Sequence, residues 1–261
     1  MATSIRFLGV AGYEIVGPAG RILVDPFLSQ SPLAPCGPDD LERPDVILVS
    51  HAAYDHYGDT AAFALRTGAP VVCGGDVRHL LLAEGLPDGQ IRPTTWGIVV
   101  RVGGVVVRPV ECHHWSQAML GDTPITGTPM AFIVETEPGI RIYHYGDTAI
   151  FDMRLFGELY APTIGIFGCT NPFEIEDDDP AAGELLTGEM DPDEAAYAAE
   201  MLGVQIAFAS HYLAPTPDCA AFTDRVAARD TTGKRIALVP RVGETLEFTA
   251  GAQGEVVARP S

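Results

Sequence analysis

The feature that most constrains this chain is a run of histidine and aspartate placed directly after a strand of buried type. Asp45-Val46-Ile47-Leu48-Val49 leads without a break into Ser50-His51-Ala52-Ala53-Tyr54-Asp55-His56-Tyr57-Gly58-Asp59. Loops at strand ends are where a rigid scaffold aims side chains from distant segments into one cleft. Imidazole and carboxylate together suit zinc, manganese or iron, and a tight loop can point several of them at one spot. His-x-x-x-Asp-His alone is a moderate signal, so its meaning depends on what other strand ends supply.

They supply matching groups. Of the seven histidines, all except His79 fall at the ends of predicted strands. His113 and His114 follow a strand ending at Val110, His144 stands just before Gly146-Asp147-Thr148, and His211 follows a strand ending at Ala209. One such histidine is most simply read as a hydrogen-bonded, partly buried side chain. Four separate strand ends delivering His or Asp are hard to obtain by accident.

The rest of the pattern fits a mixed α/β chain. Short β-rich runs at Ile5 to Leu8, Tyr13 to Val16 and Arg21 to Val24 are separated by glycine turns, and Asp25-Pro26-Phe27 breaks the third. Further strands are predicted at Pro70 to Cys73, Ile98 to Val102, Gly104 to Val110, Met130 to Glu135 and Ile140 to His144. Helices are predicted at Asp59 to Thr67 and Val77 to Glu84. Beyond Asp147 the chain alternates: helix Met153 to Tyr160, strand Thr163 to Phe167, helix Asp191 to Leu202, strand Gln205 to Ala209, helix Asp218 to Ala228, strand Arg235 to Pro240. No linker or short repeat interrupts it, which places residues 1–261 in a single domain of two stacked sheets with helices outside.

Bulk properties narrow the function. A net charge of −19 repels a polyanion, so no nucleic-acid partner is expected, and no anionic membrane surface either. A small-molecule substrate stays compatible, because a bound metal can reverse the local potential in a cleft. No apolar run reaches the roughly 18 residues of a membrane helix. The N-terminus lacks the pattern of a secretory signal, from which a cytoplasmic address is expected. Five cysteines without a Cys-x-x-Cys pair argue against a disulfide scaffold or zinc knuckle. No Gly-x-Ser-x-Gly elbow, phosphate loop or dinucleotide fingerprint is present. Oligomeric state is not encoded legibly, and a homo-oligomer stays open.

Taken in order, Phe7-Leu8-Gly9, Ile22 to Leu28, Val49-Ser50-His51 to Gly58-Asp59, Ile142 to Thr148, Pro192 to Ala196 and Ser210-His211-Tyr212 resemble the metallo-β-lactamase superfamily. The resemblance is to its bacterial metal-dependent hydrolases, near L-ascorbate-6-phosphate lactonase-like proteins. It implies a four-layer αββα sandwich and hydrolysis by a metal-bound hydroxide, with one or two divalent ions, zinc first and manganese or iron next. It implies His51 and His114 (His113 as the alternative) at a first metal, Asp55, His56 and His211 at a second, and Asp147 bridging them. Asp147 would also position the hydroxide, Asp55 would exchange a proton, and Asp25 would orient a ligand histidine. The bond cleaved, whether lactone, ester, amide or phosphoester, is not implied.

One position departs from the pattern. The superfamily motif reads His-x-His-x-Asp-His, and its second histidine is here Ala53. Three readings follow, in order: one metal at the second site; two metals, with His113, Cys112 or Cys169 replacing the lost imidazole; or a metal-binding member without catalysis. Tyr54 is an acid or oxyanion donor if it turns to the vacated space, and otherwise packs. The acidic stretch Glu174 to Glu194 is read either as a solvated insertion or as a flap beside the cleft.

Overall fold

Alternation of buried and half-buried residues sets the first sheet. In β1 (Thr3–Gly9) and β2 (Gly12–Gly17) every second side chain turns inward, and β3 (Gly20–Val24) closes an antiparallel meander. Continuing along the chain, β4 (Val46–Leu48), β5 (Val71–Cys73) and β6 (Ile91–Pro93) add in parallel. Helices α1 (Tyr54–Tyr57), α2 (Thr60–Thr67) and α3 (Gly75–Ala83) lie between them. The computed structural model describes residues 2–170, 188–252 and 254–260.

The second sheet begins with a hairpin, β7 (Val100–Val102) and β8 (Val105–Val110). A separate two-stranded ribbon follows, β9 (Ser116–Leu120) and β10 (Thr123–Gly127), then β11 (Ala131–Glu137) and β12 (Ile140–His144). From β12 the strands run parallel, through β13 (Ile164–Gly168), β14 (Ile206–Ser210) and β15 (Ile236–Leu238). Helices α4 (Arg154–Tyr160), α5 (Pro192–Leu202) and α6 (Pro217–Arg229) make the connections. Every residue of β13 and β14 is buried, as parallel strands covered on both faces should be. β16 (Thr245–Ala250) and β17 (Val256–Pro260) return to the first sheet beside β1.

The strand orders are β17-β16-β1-β2-β3-β4-β5-β6 and β15-β14-β13-β12-β11-β8-β7. One apolar core fills the space between the sheets and continues under α5 and α6. A second, built from Leu23, Ile47 and Val71 against Phe63, Val77 and Leu81, seats α2 and α3 on the opposite face. The layers are therefore helix, sheet, sheet, helix, which is the αββα sandwich expected. Helix α5 shows why such elements form where they do. Asp191 accepts the Glu194 amide while Glu194 accepts the Asp191 amide, Pro192 opens the first turn, and Gly203 ends the helix in left-handed conformation. Its alanine face, with Leu202, is buried.

Four parts of the fold go beyond the sequence reading: the short helix α1, strand β6, the β9–β10 ribbon and the terminal β16–β17 pair. The ribbon alternates only between exposed and half-buried residues over most of its length, which gives periodicity nothing to detect. Its tertiary role is to place Trp115 and Ser116 beside the loop that follows β4.

Candidate metal centre

Successive strand ends meet at one edge of the sandwich. β3 delivers Asp25, β4 delivers Ser50 and His51, α1 delivers Asp55 and His56, β8 leads to His114, β12 to Asp147 and β14 to His211. Three of these residues, Asp25, Asp147 and His211, have positive backbone φ angles of 42°, 64° and 66°. Non-glycine residues adopt that conformation only when the surroundings impose it, at a cost of order 1–3 kcal/mol each. Gly146, also at positive φ, sits so close to the Met130 carbonyl that a Cβ would collide with it. The turn presenting Asp147 therefore requires glycine.

The groups fall into two overlapping sets. Asp55, His56, Asp147 and His211 converge, all four buried, and each offers an atom within 4.8 Å of the others. His51, His114 and Asp147 form the second set under the same limit. His56 Nε2 is 2.8 Å from Asp147 Oδ2, and His211 Nε2 is 3.4 Å from the same oxygen. Asp55 Oδ2 lies 3.5 Å from His56 Nε2 and 3.6 Å from His211 Nε2. His51 Nε2 is 3.9 Å from Asp147 Oδ2.

The other nitrogen of each imidazole is already engaged. His56 Nδ1 donates to Asp25 Oδ2 at 2.9 Å. The Ser50 hydroxyl donates to that same oxygen at 2.7 Å, which leaves it to accept from His51 Nδ1 at 2.9 Å. His114 Nδ1 donates to the Gly188 carbonyl at 3.0 Å, and His211 Nδ1 meets Glu189 Oε1 at 2.7 Å. With Nδ1 of His56 and His211 turned to an outer carboxylate, Nε2 faces the inner carboxylates and can give its lone pair to an ion once its proton is displaced. His51, His56 and His211 Nε2, both Asp55 oxygens and Asp147 Oδ1 are buried without a hydrogen-bond partner among the described residues. Buried polar atoms are normally partnered, and a divalent cation held by Asp55, His56, Asp147 and His211 would satisfy all of these except His51 Nε2. The donor set thus fits the implied metal.

Charge follows the same geometry. Burial by itself would raise the Asp147 carboxyl, but the neighbouring His56 and His211 hold it well below the usual range. Burial likewise disfavours a charged His56, and Asp147, Asp55 and Asp25 outweigh it and raise that imidazole well above its ordinary value. Glu189 is pushed up to about 8, first by burial and against the attraction of His211.

Several sequence expectations land elsewhere. His113 turns outward, pairs with Glu111 at 2.8 Å and stacks on Phe151, so it joins neither set; the geometry selects His114 of the two. The Cys112 thiol donates to the Gly146 carbonyl at 3.0 Å and the Cys169 thiol to the Ser210 carbonyl at 4.0 Å. Burial pushes Cys112 well above the usual thiol range, so neither cysteine stands in for the imidazole lost at Ala53. His144 bonds the Ala11 carbonyl and stays out of the centre. Tyr54 is half exposed and packs edge-on against Phe27. Of the acidic stretch, residues 171–187 lie outside the described residues, so the flap reading is not addressed. Its far end is informative: Gly188 and Glu189 hold His114 and His211. Glu189 was missed because a charge run reads as solvated surface, and only its neighbours Met190 and Ala195, both buried, hinted otherwise.

Comparison with known proteins shows the family. The model of the beta-lactamase superfamily domain matches residues 20–212. A UPF0173 metal-dependent hydrolase of Rubrobacter xylanophilus is 37% identical over 80% of this chain and 81% of its own length. Another, from Cupriavidus taiwanensis, is 33% identical over 94% and 86%. The solved structure of Igni18, a metallo hydrolase of Ignicoccus hospitalis, superposes with a TM-score of 0.74 at 23% identity, covering 95% of this chain and 99% of that one. With a family model spanning most of the chain and relatives of this identity and coverage, the protein belongs to the beta-lactamase superfamily, within its group of metal-dependent hydrolases.

Proposed function

We propose that Asp55, His56, Asp147 and His211 hold one divalent metal, and that the chain uses it to hydrolyse a small-molecule substrate. The carrying observation is the convergence of four buried groups: His56 and His211 bring Nε2 to 2.8–3.6 Å from the Asp147 and Asp55 carboxylates, while their Nδ1 atoms face Asp25 and Glu189. Zinc is the first choice for a His–Asp set of this kind, with manganese or iron next. His51 and His114 offer two further groups for a second ion that would share Asp147, and Ala53 removes the fourth donor. Such a metal supplies polarisation of the scissile oxygen and acidification of water.

The protein's residues do the rest. Asp147, between both sets, orients the attacking water, while His51 and His114 line the cleft beside it. Asp55 lines the cavity as well as the centre and is placed to take up or return a proton. A lactone, as handled by the L-ascorbate-6-phosphate lactonase-like proteins the sequence resembles, belongs to the bond types to be screened. No nucleic acid or membrane partner is part of this reading, given a net charge of −19 and no described helix long and apolar enough to cross a membrane. A cytoplasmic site of action is part of it.

Elemental analysis of purified protein, followed by a panel of lactone, ester, amide and phosphodiester substrates, tests the proposal. One bound metal per chain and hydrolysis lost in Asp147→Asn are expected. Metal-replete protein inert toward every class would replace it with the non-catalytic reading.

A further inference from the structure

The centre opens onto a cavity of about 500 Å³ whose chemistry is one-sided. Next to His51, His114, Asp55 and Asp147, its wall is mostly apolar, with Ala53, Leu80, Trp115, Ala118 and Met119 beside the half-exposed Tyr54. Gln117 is the one uncharged amide on the wall, and Tyr57 directs its hydroxyl away to Glu84 at 2.6 Å. No lysine or arginine lines the cavity among the described residues. Residues 171–187, which precede the lining residue Gly188, contain neither in their sequence.

Trp115 is the most specific feature. Its ring is 43% exposed yet stacks on His114, with centroids 4.6 Å apart and planes at 20°. The backbone next to it is anchored at Ser116, whose hydroxyl accepts the Ala52 amide at 3.0 Å and donates to the buried Asp76 carboxylate. An aromatic face held rigid at the mouth of a pocket is a low-entropy platform for another flat group. Ala53 lines the same cavity, in the motif position where the superfamily pattern has histidine.

We propose that the non-reacting part of the substrate is an uncharged, ring-sized apolar group seated between Trp115 and Ala53, and that alanine at position 53 makes the space for it. This rests on the hydrolase reading above and supplies its substrate class. An anionic group is disfavoured on the same wall. Asp55 and Asp147 already balance one divalent cation, and no basic side chain compensates a further negative charge.

Calorimetric titration of the zinc-loaded protein with phenylacetamide and with sulfoacetamide tests the assignment through binding alone. The two share the amide and differ in carrying a phenyl or a sulfonate group. Phenylacetamide should bind at least about tenfold more tightly, the scale of one buried aromatic contact. Trp115→Ala and Ala53→Leu should each weaken it about fivefold or more while zinc content and melting temperature stay unchanged. Equal or tighter binding of the sulfonate, no binding of either, or phenylacetamide affinity unaltered in both variants overturns the proposal. Selective binding without hydrolysis of any substrate class would instead count against the hydrolase reading and leave the pocket assignment standing.

Discussion

Glu189 Oε1 lies 2.7 Å from Nδ1 of His211, and both side chains are fully buried. The carboxylate has its place because residue 168, at the end of β13, is glycine; a Cβ there would run into both Glu189 and Tyr145. Glu189 is therefore a positioning residue for His211. Glu189→Ala should lower metal affinity about 10–100-fold, the usual effect of removing the outer partner of a ligand histidine. Glu189→Gln, which keeps an acceptor, should recover much of it. Competition with a chromophoric chelator measures both, and equal loss in the two variants would reduce Glu189 to a packing role.

Gly168→Ala follows from the same contact. The added methyl must displace the carboxylate or the Tyr145 ring, and overpacking of this kind costs roughly 1–3 kcal/mol. Denaturant unfolding of the metal-free protein should show a loss in that range; an unchanged midpoint would mean the pocket around Glu189 is looser than its geometry implies.

Asp25 carries three interactions, from the Ser50 amide, the Ser50 hydroxyl and His56 Nδ1, at 2.8, 2.7 and 2.9 Å. Asp25→Ala leaves those donors buried without an acceptor, at about 1–3 kcal/mol for each that finds no substitute. Both stability and metal affinity should fall. A variant that melts earlier but binds metal as before would detach Asp25 from the centre.

His56→Ala and His211→Ala each remove one of four groups from the buried set, and either should abolish metal binding there together with hydrolysis. Ala53→His should act oppositely, raising the metal-to-protein ratio by restoring a fourth donor beside His51, His114 and Asp147. The same substitution fills the apolar cavity, so it should weaken phenylacetamide as metal content rises. An unchanged ratio would show that the cleft no longer accepts an imidazole at this position.

Protons and metal compete for the buried set. Without metal, His56 is held protonated well above its ordinary range by Asp147, Asp55 and Asp25, against the burial that opposes it. His211 is raised in the same way, against burial, by Glu189 and Asp147. Metal must displace those protons, so affinity should increase with pH and binding should release protons. Calorimetry in buffers of different ionisation enthalpy reads that release directly; zero protons released near neutral pH would contradict it.

What the sequence determined by itself is the scaffold and the identity of the chemistry-bearing strand ends. The runs that become β4, β12 and β14 are apolar, and His51, Asp147 and His211 follow their ends at short range. Burial periodicity is a local property, so it survives in a linear reading. Tertiary structure alone decided between His113 and His114, which are adjacent in sequence, because the choice depends on where the chain turns after β8. It alone turned part of an acidic run inward, since the worth of Glu189 comes from His211 on another strand and from the side chain Gly168 does not have. It alone showed that Ala53 and Trp115 line one cavity beside the centre, because cavity shape is set by segments distant in sequence that pack together.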